Sequence, residues 1–358
     1  MKDMALILQG GGALGAFEYG AVTRLVELGW RPKAVSGVSI GAINAAAIAG
    51  APDGDVVASL DRVWQAITMP NAPWLPASQQ GFLSIFGNPR FYWPRMPMFD
   101  MAAWTSLYDT APMRATLAEL CDFSQINDPK HMRVGVTATD LQTGSLTTFS
   151  NHLPHAAAAR KASAGSQHVS HLAQLDPVHV MASGSLPPGF PALEIEGRLY
   201  WDGGLFSNTP IDALLNMLEP EEVEHLPIFA LDLFPSGGMP APANLMDVQS
   251  RTTMLQYQNR FWAQYGSDIE QYVATLAGID AELPSHSPLR ERPDYQWLQR
   301  MRALKNLHVI QAPQAPLSGA SDFSAYGIKN AWQNGRQAID NYFAQPAQLQ
   351  HETLRVAA

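Results

Sequence analysis

Two glycine-rich turns near the start of the chain constrain its fold more than any other feature. The first turn is residues 10–15, Gly-Gly-Gly-Ala-Leu-Gly, and the second is residues 37–41, Gly-Val-Ser-Ile-Gly. A short apolar run precedes each turn, and a helix-like stretch follows it. Because glycine lets a strand and the next helix approach closely, the pattern predicts two consecutive strand–turn–helix units. Such units are typical of an α/β protein with a mainly parallel sheet.

The second turn places a serine between two glycines, which is the pattern of a nucleophile elbow. The residues before Ser39 predict a short buried strand, and the small apolar residues after it predict a helix that packs closely under a sheet. Gly37 and Gly41 leave room for this close approach. We interpret Ser39 as a candidate nucleophile, with the Ile40 N–H at the start of the helix as a candidate oxyanion donor.

The first turn also matches Gly-x-Gly-x-x-Gly, the fingerprint of dinucleotide binding after a strand, here residues 4–8. That fingerprint expects an acidic residue about 20 positions further on, and residues 30–36 contain none. An oxyanion hole is the better interpretation, because the N–H groups of Gly11 and Gly12 can point at a carbonyl oxygen held over Ser39. A nucleotide-binding oxidoreductase remains the less favoured alternative.

Asp202 is the candidate general base, since a serine hydroxyl is a weak nucleophile until a neighbouring group accepts its proton. It follows a predicted strand over residues 198–201 and precedes Gly203 and Gly204. A carboxylate at a strand end lies where α/β proteins gather their site residues. Asp140 also ends a predicted strand, but the hairpin-like residues after it favour a role in that turn.

Five of the ten histidines fall within residues 152–179, an Ala- and Ser-rich stretch. Their spacing is irregular, and neither a cysteine nor a pair of carboxylates accompanies them. The stretch therefore predicts a solvated, mobile loop rather than a metal site. No histidine lies in a glycine-flanked turn after a predicted strand, so a histidine base is less well supported than Asp202.

The glycine-rich loop, the serine elbow and the Asp-Gly-Gly turn together resemble the patatin-like phospholipases, in the family's order along the chain. Three further segments share the resemblance: residues 137–144, 182–191 and 208–210. The resemblance covers residues 4–235 and implies hydrolysis of lipid esters through an acyl-serine, by a Ser–Asp dyad of Ser39 and Asp202. It implies no metal and no cofactor. It also implies an oxyanion loop formed by Gly10, Gly11 and Gly12.

Residues 68–111 differ from their surroundings in being rich in proline, methionine and aromatic residues. So many prolines exclude a long helix. The segment predicts a cap-like insert beside the candidate site, where aromatic and methionine side chains suit an acyl chain. A satellite hydrophobic cluster under a long loop is the alternative.

Residues 236–343 predict a mostly helical C-terminal extension that packs on the same domain. The expected elements are helices over 244–277, 290–304 and 326–343 and a strand over 307–311. We expect this strand to join the main sheet. The whole chain then predicts a three-layer α/β sandwich with a central, mainly parallel sheet.

The composition narrows the range of partners and locations. A net charge of −9 argues against nucleic acid and against strong docking on an anionic membrane, while transient contact with a membrane surface stays open. No apolar run reaches the roughly 18 residues that a membrane-spanning helix requires. A first strand near Met4 and a single cysteine, Cys121, predict a cytoplasmic protein. The lipid substrate and the oligomeric state stay open, and a catalytically silent acyl-binding or scaffold protein is the alternative function.

Overall fold

In the computed structural model, the first strand shows how the chain builds two cores. The strand Lys2–Leu8 is fully buried over its last five residues. Met4 and Leu6 pack into one core, whereas Ala5 and Ile7 pack into another. Because successive side chains point to opposite faces of a strand, the sheet lies between two layers of helices. The predicted three-layer α/β sandwich is confirmed.

The structure describes most of the chain. The described residues are 1–70, 72, 74–96, 103–154, 168–235, 241–243, 245, 248, 251–252, 255, 268–313 and 320–345.

Eleven strands occur within these described ranges. They are β1 (Lys2–Leu8), β2 (Trp30–Val38), β3 (Trp93–Pro94), β4 (Tyr108–Asp109), β5 (Arg133–Asp140), β6 (Leu146–Ser150), β7 (His168–Leu172), β8 (Leu193–Ile195), β9 (Arg198–Asp202), β10 (Ile228–Asp232) and β11 (Leu307–Gln311). The main sheet runs in the order β11-β10-β1-β2-β5-β6-β7, with β9 paired to β5 and β8 to β9. The pairing is parallel from β11 through β5, so the predicted mainly parallel sheet and its C-terminal edge strand are confirmed.

The helices cover both faces of this sheet. They are α1 (Ala16–Glu27), α2 (Ile40–Ala49), α3 (Val56–Ile67), α4 (Ala111–Leu120), α5 (Phe123–Ile126), α6 (Pro177–Ser183), α7 (Ile211–Met217), α8 (Ile269–Glu282), α9 (Pro293–Arg300) and α10 (Ala325–Ala344). Residues of α1, α2, α3 and α10 form one core, and residues of α7 and α8 contribute to the other. Every residue of α2 is buried, because its small side chains allow it to lie directly under the sheet.

Strand β5 brings the serine elbow and the Asp-Gly-Gly turn together. It pairs in parallel with β2, whose last residue, Val38, lies opposite Thr137. It pairs in antiparallel with β9, whose last residue, Asp202, lies opposite Ala138. Because Thr137 and Ala138 are neighbours, β2 and β9 both end at the same point along β5. Two turns that are 160 residues apart in sequence therefore meet, and Ser39 follows Val38 directly.

Two predictions about secondary structure are wrong. The histidine-rich stretch is not a loop throughout, because His168–Leu172 forms β7, paired in parallel with β6, and His179 lies in α6. The single helix predicted over 290–304 is broken, since Arg292 has an extended backbone before Pro293, which begins α9. Much of the helical region predicted over 244–277 lies outside the described residues, as do His155 and residues 97–102 of the cap-like insert.

Candidate active site

Ser39 occupies a sharp turn between β2 and α2. Its backbone lies at φ 56° and ψ −123°, a conformation that is rare and strained for a residue with a side chain. A Cβ on Gly37 would lie 2.3 Å from the carbonyl oxygen of Gly41, so only glycine fits there. The Ser39 N–H donates to the carbonyl oxygen of Ser183 at 3.1 Å and to its hydroxyl oxygen at 3.0 Å. The geometry is that of a nucleophile elbow held in place from α6.

Asp202 lies beside this turn and is 2% exposed. Its Oδ1 accepts a hydrogen bond of 2.7 Å from the N–H of Gly204, and the Ser39 side chain lies close enough to the carboxylate to lower its pKa. Burial raises the pKa of Asp202 to about 7, and the interactions with Ser39 and Gly204 act in the opposite direction. A carboxyl group with a pKa near neutrality is suited to exchange a proton with its hydroxyl partner.

The glycine-rich loop after β1 closes the third side of the site. A Cβ on Gly10 would lie 3.0 Å from the Cβ of Ser39, so the loop backbone touches the elbow. Gly12 has φ +56°, which glycine adopts without strain. Within the described chain, the N–H groups of Gly11 and Gly12 donate to no backbone carbonyl. The Ile40 N–H, at the first position of α2, has no intrahelical acceptor either.

Asn208 ties the glycine-rich loop to the Asp-Gly-Gly turn. Its side-chain N–H donates to the carbonyl oxygen of Gly10 at 2.9 Å, and the side chain is 6% exposed. A Cβ on Gly204 would lie 3.1 Å from its Oδ1. Residues 208–210 share the family resemblance described above, but no local pattern at Asn208 predicts this hydrogen bond. Asn208 and Gly10 are 198 positions apart in the sequence.

A buried polar network holds the loop from the opposite side. The N–H of Gln9 donates to Glu18 at 2.6 Å, and the Asn44 side chain donates to the other oxygen of Glu18 at 2.8 Å. Trp64 completes the network by donating its Nε1–H to Asn44 at 2.9 Å. Burial raises the pKa of Glu18 well above its usual value. The loop backbone is thereby fixed immediately before Gly10, although sequence analysis missed these residues.

An apolar cavity of about 190 Å³ lies beside the serine elbow, and Ser39 is one of the residues that line it. Helix α2 lines one side of it, and the described part of the predicted cap-like insert lines another. Its apolar lining includes Ile40, Ile43, Ile67, Phe91, Phe190 and Phe323. The cavity is suited to a hydrocarbon chain next to the serine hydroxyl.

The other carboxylate and the histidines are engaged elsewhere. Asp140 accepts from the N–H groups of Gln142 and Thr143 and pairs with Arg198, which confirms its interpretation as a turn residue. His168 lies 2.8 Å from the Thr148 hydroxyl on the neighbouring strand. Among the residues that the structure describes, no group of histidine, cysteine and carboxylate side chains is arranged to hold a metal ion.

Comparison with known proteins places this α/β fold and its three turns in a family. The model of the patatin-like phospholipase family matches residues 6–215, which is more than half of the 358 residues. The chain therefore belongs to the patatin-like phospholipase family. A search of the curated proteins found no match. The solved structure of VipD from Legionella pneumophila matches 95% of this chain and 67% of its own, with 16% identity and a TM-score of 0.38.

Family membership implies lipid acyl hydrolase activity, and it confirms the resemblance found in the sequence. In the part of the chain that the structure describes, no helix has the length and apolar character to cross a membrane.

Proposed function

We propose that the protein hydrolyses carboxylic esters of lipids through an acyl-serine intermediate, with Ser39 as nucleophile and Asp202 as general base. The observation that carries this proposal is the position of Ser39 beside Asp202, a buried carboxyl group whose pKa burial raises to about 7 and the Ser39 side chain lowers. The strained backbone of Ser39 and the apolar cavity beside it support the same assignment. Family membership supplies the class of reaction.

The first half of the cycle forms the acyl-enzyme. Asp202 accepts the Ser39 proton while the hydroxyl oxygen bonds to the acyl carbonyl carbon. The tetrahedral intermediate then collapses, the bond to the leaving alkoxide breaks, and Asp202 returns the proton to that oxygen. One carboxyl group thus serves as base and then as acid, for which a pKa near the working pH is favourable.

The oxyanion of the tetrahedral intermediate needs donors that are already oriented. The N–H groups of Gly11, Gly12 and Ile40 are the candidates, since they flank Ser39 and Gly10 touches its side chain. A donor of this kind is worth about 3 kcal/mol of transition-state stabilisation in comparable sites. Glycine in the loop keeps Cβ atoms away from the oxygen.

The second half of the cycle releases the acid. Asp202 accepts a proton from water, the hydroxide oxygen bonds to the acyl carbon, and the bond to Ser39 breaks as the serine oxygen regains a proton. Every proton transfer uses the same carboxyl group. The described side chains therefore suffice for the full cycle.

The proposal is tested by measuring fatty acid release from a phospholipid and from a neutral glyceride, without added calcium. Ser39→Ala and Asp202→Asn are each expected to lower the rate by about a thousandfold or more, because a nucleophile and its base act as a unit. Asp140→Asn is the matched control and is expected to retain activity. Circular dichroism establishes that each variant is folded.

Three outcomes would contradict the proposal. More than a tenth of the wild-type rate in Ser39→Ala would exclude Ser39 as the nucleophile. A mild effect of Asp202→Asn with a severe effect of Asp140→Asn would transfer the role of base. A folded wild type that binds fatty acid but releases none from any ester would favour a catalytically silent acyl-binding protein.

A further inference from the structure

The C-terminal part of the chain reaches directly into the candidate active site. Residues 320–324, here called the strap, lie about 100 positions beyond the end of the family match at residue 215. A Cβ on Gly12 would lie 2.2 Å from the carbonyl oxygen of Ala320. The strap therefore rests on the backbone of the glycine-rich loop, at a distance that only glycine allows.

From this loop the strap runs to the end of α3. The N–H of Met69 donates to the carbonyl oxygen of Phe323 at 2.8 Å, and Met69 and Ser324 form a parallel β-bridge. Ser324 then caps α10 by accepting from the N–H of Gly327 at 3.1 Å. The strap is thus anchored at both ends, so the position of Phe323 between the anchors is well defined.

Residues at and next to this bridge line two cavities. Ile67 and Phe323 face the 190 Å³ cavity beside Ser39. Met69 and Ala325, which lie two positions after Ile67 and Phe323 in the chain, line a second cavity of about 510 Å³. Tyr19, Trp64, Ile328 and Trp332 also line this second cavity. Residues of the bridge between the end of α3 and the strap therefore contribute to the lining of both spaces.

The smaller cavity is short for a lipid chain. Its volume lies below the roughly 300 Å³ at which typical ligand pockets begin. The larger cavity beyond the bridge is mostly apolar and has room for further methylene groups. Ile67 and Phe323 therefore belong to the wall of the cavity that also contains Ser39, next to residues that line the larger space.

We propose that Phe323, together with Ile67, sets the acyl-chain length that the enzyme accepts, by closing the cavity beside Ser39 against the second cavity. This inference rests on the proposed function, since it concerns the acyl group of the ester that Ser39 attacks. Phe323 is a specificity-determining residue in this account, and it belongs to a segment outside the matched family region.

The test compares hydrolysis of p-nitrophenyl esters from butanoyl to hexadecanoyl by wild type and Phe323→Ala. Removing the ring is expected to join the two cavities. The kcat/KM for the longest ester is then expected to rise by about tenfold or more relative to that for the shortest, because a single methylene group in an apolar pocket already gives discrimination of this size. The change is expected mainly in KM, because the reacting groups are untouched. Phe323→Leu, which keeps an apolar side chain on the strap, is expected to shift the preference in the same direction by less.

Tyr326→Ala is the matched control. It removes an aromatic ring three positions further along, from a side chain that is 64% exposed and lines neither cavity. It is expected to leave the chain-length profile unchanged. An unchanged profile in folded Phe323→Ala and Phe323→Leu, with hydrolysis still dependent on Ser39, would overturn this inference alone. A wild type with no Ser39-dependent hydrolysis of any ester would contradict the proposed function itself.

Discussion

At the scale of single residues, the sequence predicted which side chains meet but not their surroundings. Ser39 and Asp202 were identified from the glycines that flank them. The pKa of Asp202 depends on burial, which results from the packing of β9 against β5 and is not encoded in the Asp-Gly-Gly turn. The same holds for Asn208, whose bond to Gly10 exists only in the folded chain.

The raised pKa of Asp202 predicts the pH dependence of the reaction. A base works only when deprotonated, so kcat/KM for ester hydrolysis is expected to rise with pH and to level off above about pH 7. Below this pH it is expected to fall by about tenfold per pH unit, since the fraction of ionised base falls in that proportion. A rate that is constant between about pH 5 and pH 8 would contradict the assignment of Asp202 as base.

The same shift makes a prediction about stability. The pKa of Asp202 is about 7 in the folded chain, against 3.8 for an ordinary aspartate. As the pH rises, Asp202 therefore loses its proton at a lower pH in the unfolded chain than in the folded chain. The free energy of unfolding consequently falls as the pH rises from about 4 to about 7. Asp202→Asn is therefore expected to be more stable than wild type at pH 8, with the gain shrinking toward pH 4. Urea unfolding at both pH values measures this. A variant destabilised equally at both would contradict it.

At the scale of elements, strands and helices with a clear apolar pattern were predicted well. Strand β11 has the bounds predicted from sequence, 307–311, and β9, predicted over 198–201, extends one residue further to Asp202. Strand β7 was missed because two of its five residues are histidines, which satisfy their polar atoms through tertiary partners. His168, for example, lies against Thr148 and Asp212 from other elements. A pattern of local polarity cannot reveal such partners.

The contact between α1 and α10 depends on two glycines. A Cβ on Gly20 would lie 2.0 Å from the carbonyl oxygen of Trp332, and a Cβ on Gly335 would lie 2.0 Å from that of Phe17. Gly278 on α8, in contrast, has open space around it. All three glycines lie within helices, but Gly20 and Gly335 contact another helix backbone closely, whereas Gly278 has open space beside it.

Alanine substitutions at these positions are expected to act in opposite directions. Gly20→Ala forces the two helix backbones apart and is expected to lower the free energy of unfolding by about 1–3 kcal/mol. Gly278→Ala is expected to raise it by about 0.5–1 kcal/mol, because alanine favours the helix and meets no neighbour. Chemical denaturation measures both. Equal effects of the two substitutions would show that α10 does not pack on α1 as described.

At the scale of the whole molecule, the folded unit extends beyond the matched family region. Strand β10 lies next to β1 in the sheet, and β11 lies next to β10, although both follow residue 215. Helix α10 packs on α1. We therefore propose that residues 4–235 and 236–343 fold as one domain. The cytoplasmic location stays a prediction.

The sequence could predict the three turns of the site because each carries its own local signal, a glycine pattern at a strand end. It could not predict the strap, because the contact of Ala320 with Gly12 joins positions about 300 residues apart and nothing in the local sequence at Ala320 points to the glycine-rich turn. The proposed role of Phe323 depends on this contact for the same reason and has no local signal in the sequence. Local patterns therefore predicted the turns of the candidate site, whereas the cavity beside it results from tertiary packing.

An activated Ser39 is the central claim, and labelling with a fluorescent fluorophosphonate tests it most directly. The probe is incubated without calcium with wild type, Ser39→Ala and Asp202→Asn, and the adduct is located by mass spectrometry. The account predicts one adduct on Ser39 in wild type, none in Ser39→Ala and much slower labelling in Asp202→Asn. An adduct on another residue, labelling that persists in Ser39→Ala, or no labelling of folded wild type would contradict it.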